Sequence, residues 1–400
     1  MPPNAHEETC VRERVSSWGQ QVDISPLKGS TSTNTFATVS TSEDFPALLR
    51  LKDTLAAIPS RGYVSSKAPT PVEHMPRLAK LCGGPELYVK RDDLLPLAGG
   101  GSKTRKLDYL VEEAIESGAD VLVTSGAVQS NHCRLTASAA AREGMECYII
   151  LEERIPGSYD PSAGGNNYAF SLLGAKQIHA PLGGVGPIQD DLITKLKEEG
   201  KKPYVIPGGG SNQLGAVGYV RAAAELIEQS EILKDEAGES NKPGLFWDAI
   251  VTCSGSGGTH TGLLTGLRAA GVDTPVFGIS VRFDADQQGD RIRQQVQACI
   301  DKYFSDFDTV ADGIDDDVLI IDKHVGPGYS LPTDEMAESI QSFARLESII
   351  LDPVYTGKGA AGFLSLARSG KFDQEQRLLF IHTGGAPSLY HYQTLLSSKK

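Results

Sequence analysis

The sequence predicts an α/β protein with parallel-rich, twisted sheets and helices on both sheet faces. Three observations lead there. Short β-branched runs alternate with longer amphipathic stretches from Phe45 onward, the pattern of strands joined by crossover helices. Glycine, at 43 of 400 residues or about 11% against a usual share of about 7%, gathers where those strands end and helices begin. No fixed-period repeat points to a solenoid or propeller instead.

Taken in order, strands are expected at Leu87–Lys90, Val121–Thr124, Cys147–Leu151, Pro203–Ile206, Ala249–Cys253, Val276–Val281, Val318–Ile321, Ile349–Leu351 and Leu378–His382. Each is a short aliphatic run bounded by polar or glycine-rich turns. Helices are expected between them at Arg105–Glu116, Asn131–Glu143, Gly215–Gln229, Thr259–Ala269, Gln287–Tyr303, Thr333–Leu346 and Gly359–Ala367, where the stretches are amphipathic and rich in good helix formers. Residues 1–43 are polar and Ser/Thr-rich, notably over Gly29–Ser42. They are expected to form a flexible arm.

With 38 Lys+Arg against 51 Asp+Glu, the formal charge is −13. That argues against nucleic-acid and anionic-membrane partners, which need a basic face. The 40% hydrophobic and 22% charged residues are ordinary globular usage, and the length allows two or three folding units. Six scattered cysteines form no C-x-x-C pair, so they read as reduced apolar core residues. No apolar run approaches the ~18–20 residues of a membrane span. Glu7 and Glu8 sit where a mitochondrial presequence avoids acids, and a cytoplasmic protein is expected. No residue set suggests a metal site.

Three stretches carry chemistry. In Gly99-Gly100-Gly101-Ser102-Lys103-Thr104-Arg105-Lys106, a glycine turn delivers Lys103 to a helix start. Neighbouring cations and the positive helix end there favour an uncharged amine, which imine chemistry requires. Lys106, three positions on, could meet a phosphate. Ser102 stands where a nucleotide-binding P-loop requires glycine; a solvated basic helix start also fits. In the second stretch, Ser130, Asn131 and His132 cluster donors at a helix N-terminus, and both an ordinary N-cap and a carboxylate site fit them. Nothing near His132 and Cys133 completes a metal or thiol-protease set. In the third, Gly255-Ser256-Gly257-Gly258-Thr259 ends a strand and opens a helix, so its amides and hydroxyls suit a phosphate dianion. His260 breaks the dinucleotide fingerprint, and Ser254 rules out a nucleophile elbow at Ser256.

Together, Lys90–Asp93, Gly100–Leu110, Gln129–His132, Gly208–Gly215, Ser254–Gly262, Leu351–Lys358 and His382–Gly385 resemble the fold-type II pyridoxal-phosphate enzymes. The resemblance narrows to the branch of D-cysteine desulfhydrase and 1-aminocyclopropane-1-carboxylate (ACC) deaminase, and runs from about residue 60 onward. It implies a tryptophan synthase β-like architecture of two three-layer αβα domains. The large cofactor domain would take residues 44–115 and 216–400, and the small one residues 116–215. The implied cofactor is pyridoxal 5'-phosphate, with Lys103 bonded to it, Asn131 at its ring hydroxyl and Gly255–Thr259 with Lys106 at its phosphate. Ser130, Asn131, His132 and Thr383 would take the substrate, and Tyr329 and Tyr355 would flank it. The branch's deaminases carry Glu where this chain has Thr356, facing the ring nitrogen, and Leu where it has Thr383. A neutral hydroxyl leaves a weaker electron sink, sufficient when a good β-leaving group departs. The resemblance thus implies a lyase performing α,β-elimination on a small β-substituted amino acid, with D-cysteine leading, Lys103 or Ser130 as base, and a homodimer as the assembly. ACC deamination, β-replacement, and a homologue that binds cofactor without catalysis are the alternatives.

Overall fold

The computed structural model describes residues 46–394 apart from 308, 309 and 311–313; the expected arm over residues 1–43 lies outside the described residues. In chain order the elements are α1 (Pro46–Ala56), β1 (Val72–His74), α2 (Pro76–Cys82), β2 (Glu86–Lys90), α3 (Lys103–Glu116), β3 (Val121–Ala127), α4 (Asn131–Glu143), β4 (Glu146–Glu153), α5 (Asn166–Leu172), β5 (Lys176–Pro181), α6 (Val185–Glu198) and β6 (Pro203–Ile206). They continue with α7 (Gln213–Glu236), β7 (Ala249–Ser254), α8 (Gly258–Ala269), β8 (Val276–Ser280), α9 (Ala285–Cys299), α10 (Ile314–Asp317), β9 (Leu319–Ile321), α11 (Asp334–Glu347), α12 (Thr356–Ala367), β10 (Arg377–Ile381) and α13 (Ala386–Leu389).

Two sheets result. One has six strands in the order β1-β2-β10-β7-β8-β9, and the other has four in the order β5-β4-β3-β6. Every pairing is parallel except β1 with β2. β10 lies between β2 and β7, with Leu379 opposite Tyr88 on one side and Ile250 on the other. The fully buried β7, Ala-Ile-Val-Thr-Cys-Ser, has no polar face, as expected of a strand covered on both sides.

Three apolar clusters fill the layers. The first joins Leu107 and Leu110 of α3, Val220 and Ile227 of α7, and Leu263 and Leu267 of α8. A second, containing Leu87, Val251, Phe343, Phe363 and Phe380, packs α11 and α12 onto the six-stranded sheet. The third packs α6 onto the four-stranded sheet through Val121, Val123, Ile150, Leu192 and Leu196. Contact between α7 and α8 is backbone to backbone: a Cβ on Gly262 would lie 2.3 Å from the Ala216 carbonyl oxygen. Only glycine permits that approach.

One expected strand is absent. Ser348 ends α11 in the left-handed region (φ 58°), and Ile349 N donates to the Phe343 carbonyl at 3.2 Å. Ile349 and Leu351 are buried in the second cluster but pair with no strand, because β10 is already flanked by β2 and β7. The aliphatic run is a core-filling connection. Conversely, β1, β5, α1, α2, α5, α6, α10 and α13 were not expected. β1 is three residues long, and β5 is an edge strand whose Lys176, His179 and Pro181 are exposed, so neither shows a period-two signal.

A buried charge cluster fixes the base of α3. Arg105 donates from Nε and Nη2 to Asp92 at 2.8 Å each, and from Nη1 to Glu225 at 2.9 Å. Lys90 Nζ also bonds Glu225, and the Tyr219 hydroxyl donates to Asp92 at 2.6 Å. Burial opposes ionisation of Glu225, but Arg105 and then Lys90 outweigh it and hold the carboxyl at about 2. A carboxyl depressed in the folded state stabilises above its unfolded pKa, and that contribution is lost as pH falls toward the folded value. Stability in urea titrations should therefore decline from about pH 4.5 to about 2. Glu225→Ala, which strands Arg105 and Lys90, should cost about 3–5 kcal/mol at neutral pH in the same measurement.

Candidate active site

A cavity of about 250 Å³ opens outside the carboxyl ends of β3, β7 and β10, where open α/β sheets place their ligands. It brings together Lys103, Ser130, Asn131, His132, Gly255, Ser256, Gly257, Thr259, Tyr329, Tyr355 and Thr383. Lys106, Gly258 and Thr356 are not on its wall.

Lys103 is the first residue of α3, and the turn before it can be made only by glycine. Gly99, Gly100 and Gly101 have φ of 78°, 68° and 129°, and a Cβ on Gly100 would lie 1.6 Å from the Asp93 carbonyl oxygen. Ser102 N then donates to the Thr383 carbonyl at 3.0 Å, seating the turn on the loop after β10. Lys103 Nζ lies 3.1 Å from Ser102 Oγ and 5.6 Å from the centre of the Tyr355 ring. Burial lowers its pKa, Arg134 adds to the effect, and Cys253 and Asp352 oppose it. The cause differs from the sequence argument, since the charge of Arg105 is answered by Asp92 and Glu225. Lys106 is pushed well down by burial and then by Lys103. It bonds the Gly209 carbonyl at 3.2 Å and Ser211 Oγ at 3.1 Å.

Ser130 is an N-cap as well as a wall residue. Its Oγ accepts from Cys133 N at 3.1 Å, and Gly126 makes room, since a Cβ there would lie 2.4 Å from Ser130 Oγ. Asn131 Oδ1 accepts from Arg134 Nη1 at 2.9 Å and Asn166 Nδ2 at 2.8 Å. Its Nδ2 donates to Asp352 at 3.0 Å, which leaves one amide hydrogen for a ligand. His132 Nε2 lies 2.7 Å from Thr124 Oγ1. That hydroxyl spends its only hydrogen on the Ile206 carbonyl at 2.8 Å, so Nε2 carries the imidazole proton. Nδ1 is then a bare acceptor, buried and without a hydrogen bond. Burial, helped by Lys103 and Lys106, pushes the ring pKa down to about 3, so it is neutral at physiological pH.

The glycine loop after β7 forms a cup with the loop after β6. Ser211 and Ser256 hydroxyls are 2.8 Å apart, and Gln295 Nε2 holds the Ser256 carbonyl at 2.9 Å. Gly209 and Gly257 have φ of 73° and 96°. A Cβ on the first would lie 2.3 Å from Ser256 Oγ, and on the second 2.5 Å from Gln295 Oε1. The cup faces the N-terminus of α8, so amides, hydroxyls and the positive helix end converge as a phosphate requires. The donor set, the buried low-pKa amine of Lys103 and the spare Asn131 hydrogen fit a phosphorylated aldehyde.

Several residues were not singled out by sequence reasoning. Buried Asp352 accepts from Val354 N at 2.9 Å and Tyr355 N at 2.5 Å through Oδ1, a turn-capping pattern that an Asp-Pro pair could have signalled. Lys358 Nζ donates to the Val325 and Gly328 carbonyls at 2.6 and 2.7 Å, which fixes the loop carrying Tyr329. Cys253 lies on the wall, where burial pushes its thiol up to about 12. Arg154, Arg282 and Arg291 line the cavity too, and no local pattern marked them. The Tyr329 and Tyr355 hydroxyls bond each other. Thr356 Oγ1 accepts from Asp352 N at 2.7 Å and serves its own turn.

Residues 65–384 match the family described as pyridoxal-phosphate dependent enzyme. The chain belongs to that family, in the fold-type II branch of D-cysteine desulfhydrase and ACC deaminase, and its cofactor is pyridoxal 5'-phosphate. Among solved structures it is similar to an ACC deaminase homologue, at 32% identity over 88% of this chain and 99% of that one, with a TM-score of 0.75. It shares its fold with a threonine deaminase from T.th. (18% identity; 85% and 97% covered; TM-score 0.54). It likewise shares its fold with a hydrogen sulfide-producing enzyme from Fusobacterium nucleatum (17% identity; 84% and 98% covered; TM-score 0.51). No helix among the described residues is long and apolar enough to cross a membrane.

Gly209→Val should abolish retention of the cofactor's near-ultraviolet and visible absorbance after gel filtration while leaving the far-ultraviolet circular dichroism intact. Full retention would remove the cup as the phosphate site.

Proposed function

We propose that this enzyme catalyses α,β-elimination from a small β-substituted amino acid, with D-cysteine the leading substrate. Cysteine and water give pyruvate, ammonia and hydrogen sulfide. The observation that carries this reading is that the cavity wall holds no carboxylate among the described residues. Thr383 lies on the wall, whereas Thr356 does not and its hydroxyl accepts from Asp352 N. Without an acid to hold a ring nitrogen protonated, the site suits substrates whose leaving group departs readily.

Lys103 would bond the cofactor's aldehyde carbon, Asn131 would meet its ring hydroxyl, and Gly255–Thr259 would wrap its phosphate, with Lys106 behind the cup. When bound, pyridoxal phosphate supplies an electron sink that acidifies the Cα–H of an amino acid. Ser130, beside the free amides at the start of α4, would hold the α-carboxylate, and His132 Nδ1 would accept a hydrogen bond beside them. Lys103, whose pKa is lowered by burial, is the base that would remove the Cα proton. Burial raises the pKa of both Tyr329 and Tyr355, so both stay protonated and their bonded pair would hand a proton to the departing sulfur.

ACC deamination is the second reading, favoured by the 32% identity with an ACC deaminase homologue. Incubating the enzyme with D-cysteine, L-cysteine and ACC separates the two. Sulfide and pyruvate are expected, and 2-oxobutanoate from ACC with no sulfide from either cysteine would overturn elimination. Lys103→Ala should reduce turnover at least a thousandfold and abolish borohydride labelling of the protein by the cofactor; label on another side chain would reject Lys103.

A further inference from the structure

We propose that the site also takes amino acids that carry a second anionic group on the β-carbon, held by Arg154 and Arg282. The inference rests on the elimination reading for what then happens to that group, but not for its binding.

Although the whole chain is acidic at −13, the cavity is lined by Lys103, Arg154, Arg282 and Arg291 and, among the described residues, by no Asp or Glu. Two of the arginines stand beside Tyr329. The Arg154 guanidinium carbon stands 4.8 Å from the centre of the Tyr329 ring, and that of Arg282 stands 6.0 Å from it. Tyr329 bonds Tyr355, whose ring faces Lys103 Nζ. Cofactor amine, tyrosine pair and arginines therefore follow one another along a single wall. An amino acid with its Cα at Lys103 and its carboxylate at Ser130 extends its β-substituent toward that wall.

Among the described residues, only one of these arginines makes an ion pair. Arg154 Nε bonds Glu152 at 2.6 Å, leaving its terminal nitrogens for other partners. Arg282 stacks on Phe283 at 4.7 Å, and Arg291 stacks on the same ring at 4.8 Å. These contacts orient guanidinia without neutralising them. Arg282 and Arg291 are exposed at the cavity's mouth, and Glu152 offsets part of the charge of Arg154 and Arg282. Three guanidinia about that one carboxylate still repel each other and leave a net positive wall that favours a further anion. A planar guanidinium fork matches an oxyanion such as a carboxylate, sulfonate or phosphate. A neutral thiol uses none of this.

With such a substrate the bond changes balance without any further reactant. The Cα–H and Cβ–X bonds break, Lys103 takes the proton, and X departs with its electron pair as sulfite or phosphate. The three-carbon enamine left behind adds water to give pyruvate and ammonia.

Binding is separated from chemistry by titrating the holoenzyme with both hands of aspartate and alanine, following heat and cofactor absorbance. The β-carboxylate of aspartate is not a leaving group. The accepted hand of aspartate should bind at least tenfold more tightly than the same hand of alanine, and the ratio should fall to about one in Arg282→Gln but survive in Arg282→Lys. Equal affinities in the unmodified enzyme would overturn the proposal. So would an Arg282→Gln protein that loses cofactor while keeping the ratio, because the arginine would then serve the cofactor phosphate. Pyruvate should also be released from cysteate and O-phosphoserine, and in Arg282→Gln their kcat/KM should fall at least tenfold further than that for cysteine. Tight aspartate binding with no pyruvate from any of the three would leave the arginine site standing and remove the elimination reading instead.

Discussion

One buried carboxylate holds the cavity's walls in register. Asp352 accepts the backbone amides of Val354 and Tyr355 on its own turn and the side-chain amide of Asn131 from the start of α4. Gly385, after β10, must be glycine because a Cβ there would lie 1.8 Å from Asp352 Oδ2. Three segments distant in sequence are thus fixed against one group. Burial raises its pKa while the amide donors and Asn131 work the other way, and no cation makes a hydrogen bond to it among the described residues. Neutral N–H groups hold it in place, which leaves the amine of Lys103 without a direct counter-charge.

Much of this architecture was legible from residue patterns. The strands now called β2, β3, β4, β6, β7, β8, β9 and β10 all overlap runs of aliphatic residues bounded by glycine or polar turns. Six of them are interior strands, which have no solvated side to confuse the reading, and β6 and β9 at the sheet edges keep aliphatic runs of their own. The other edges were harder, since a half-exposed strand such as β5 satisfies its side chains with water. Ile349–Leu351 shows the converse failure: a run is aliphatic because it is buried, and burial does not require a sheet. At the site, glycine was the informative residue, because a positive φ or a close contact at Gly100, Gly209 and Gly257 leaves little choice of side chain. Lys103 and the cup drew attention for that reason, whereas Ser130 and Asn131 drew it as polar donors at a helix start. Arg154 and Arg282 were not, because their role comes from convergence of β4 and β8 ends that nothing local encodes.

The interior of the site and the exterior of the protein carry opposite signs. A chain at −13 gives no long-range attraction to an amino acid bearing extra negative charge, and screening limits such fields to about 8 Å at physiological ionic strength. Selection then depends on what lies within the cavity rather than on capture from a distance. The neutral His132 and the protonated tyrosine pair add to this arrangement, since they line the cavity with hydrogen-bonding groups without altering its charge.

The cluster at Arg105 also bears on how the chain acquires its shape. Arg105 and Glu225 are 120 residues apart, and all of the four-stranded sheet, from Val121 to Ile206, lies between them. During synthesis, the guanidinium at the base of α3 meets one acid early, at Asp92, but waits for the other until that whole sheet has emerged. The four-stranded sheet, whose β3–β6 pairing itself spans most of that stretch, is complete in its strands at Ile206, whereas α3 gains its second acid only once α7 has emerged. The lysine-bearing helix is thus anchored by partners encoded on both sides of that sheet.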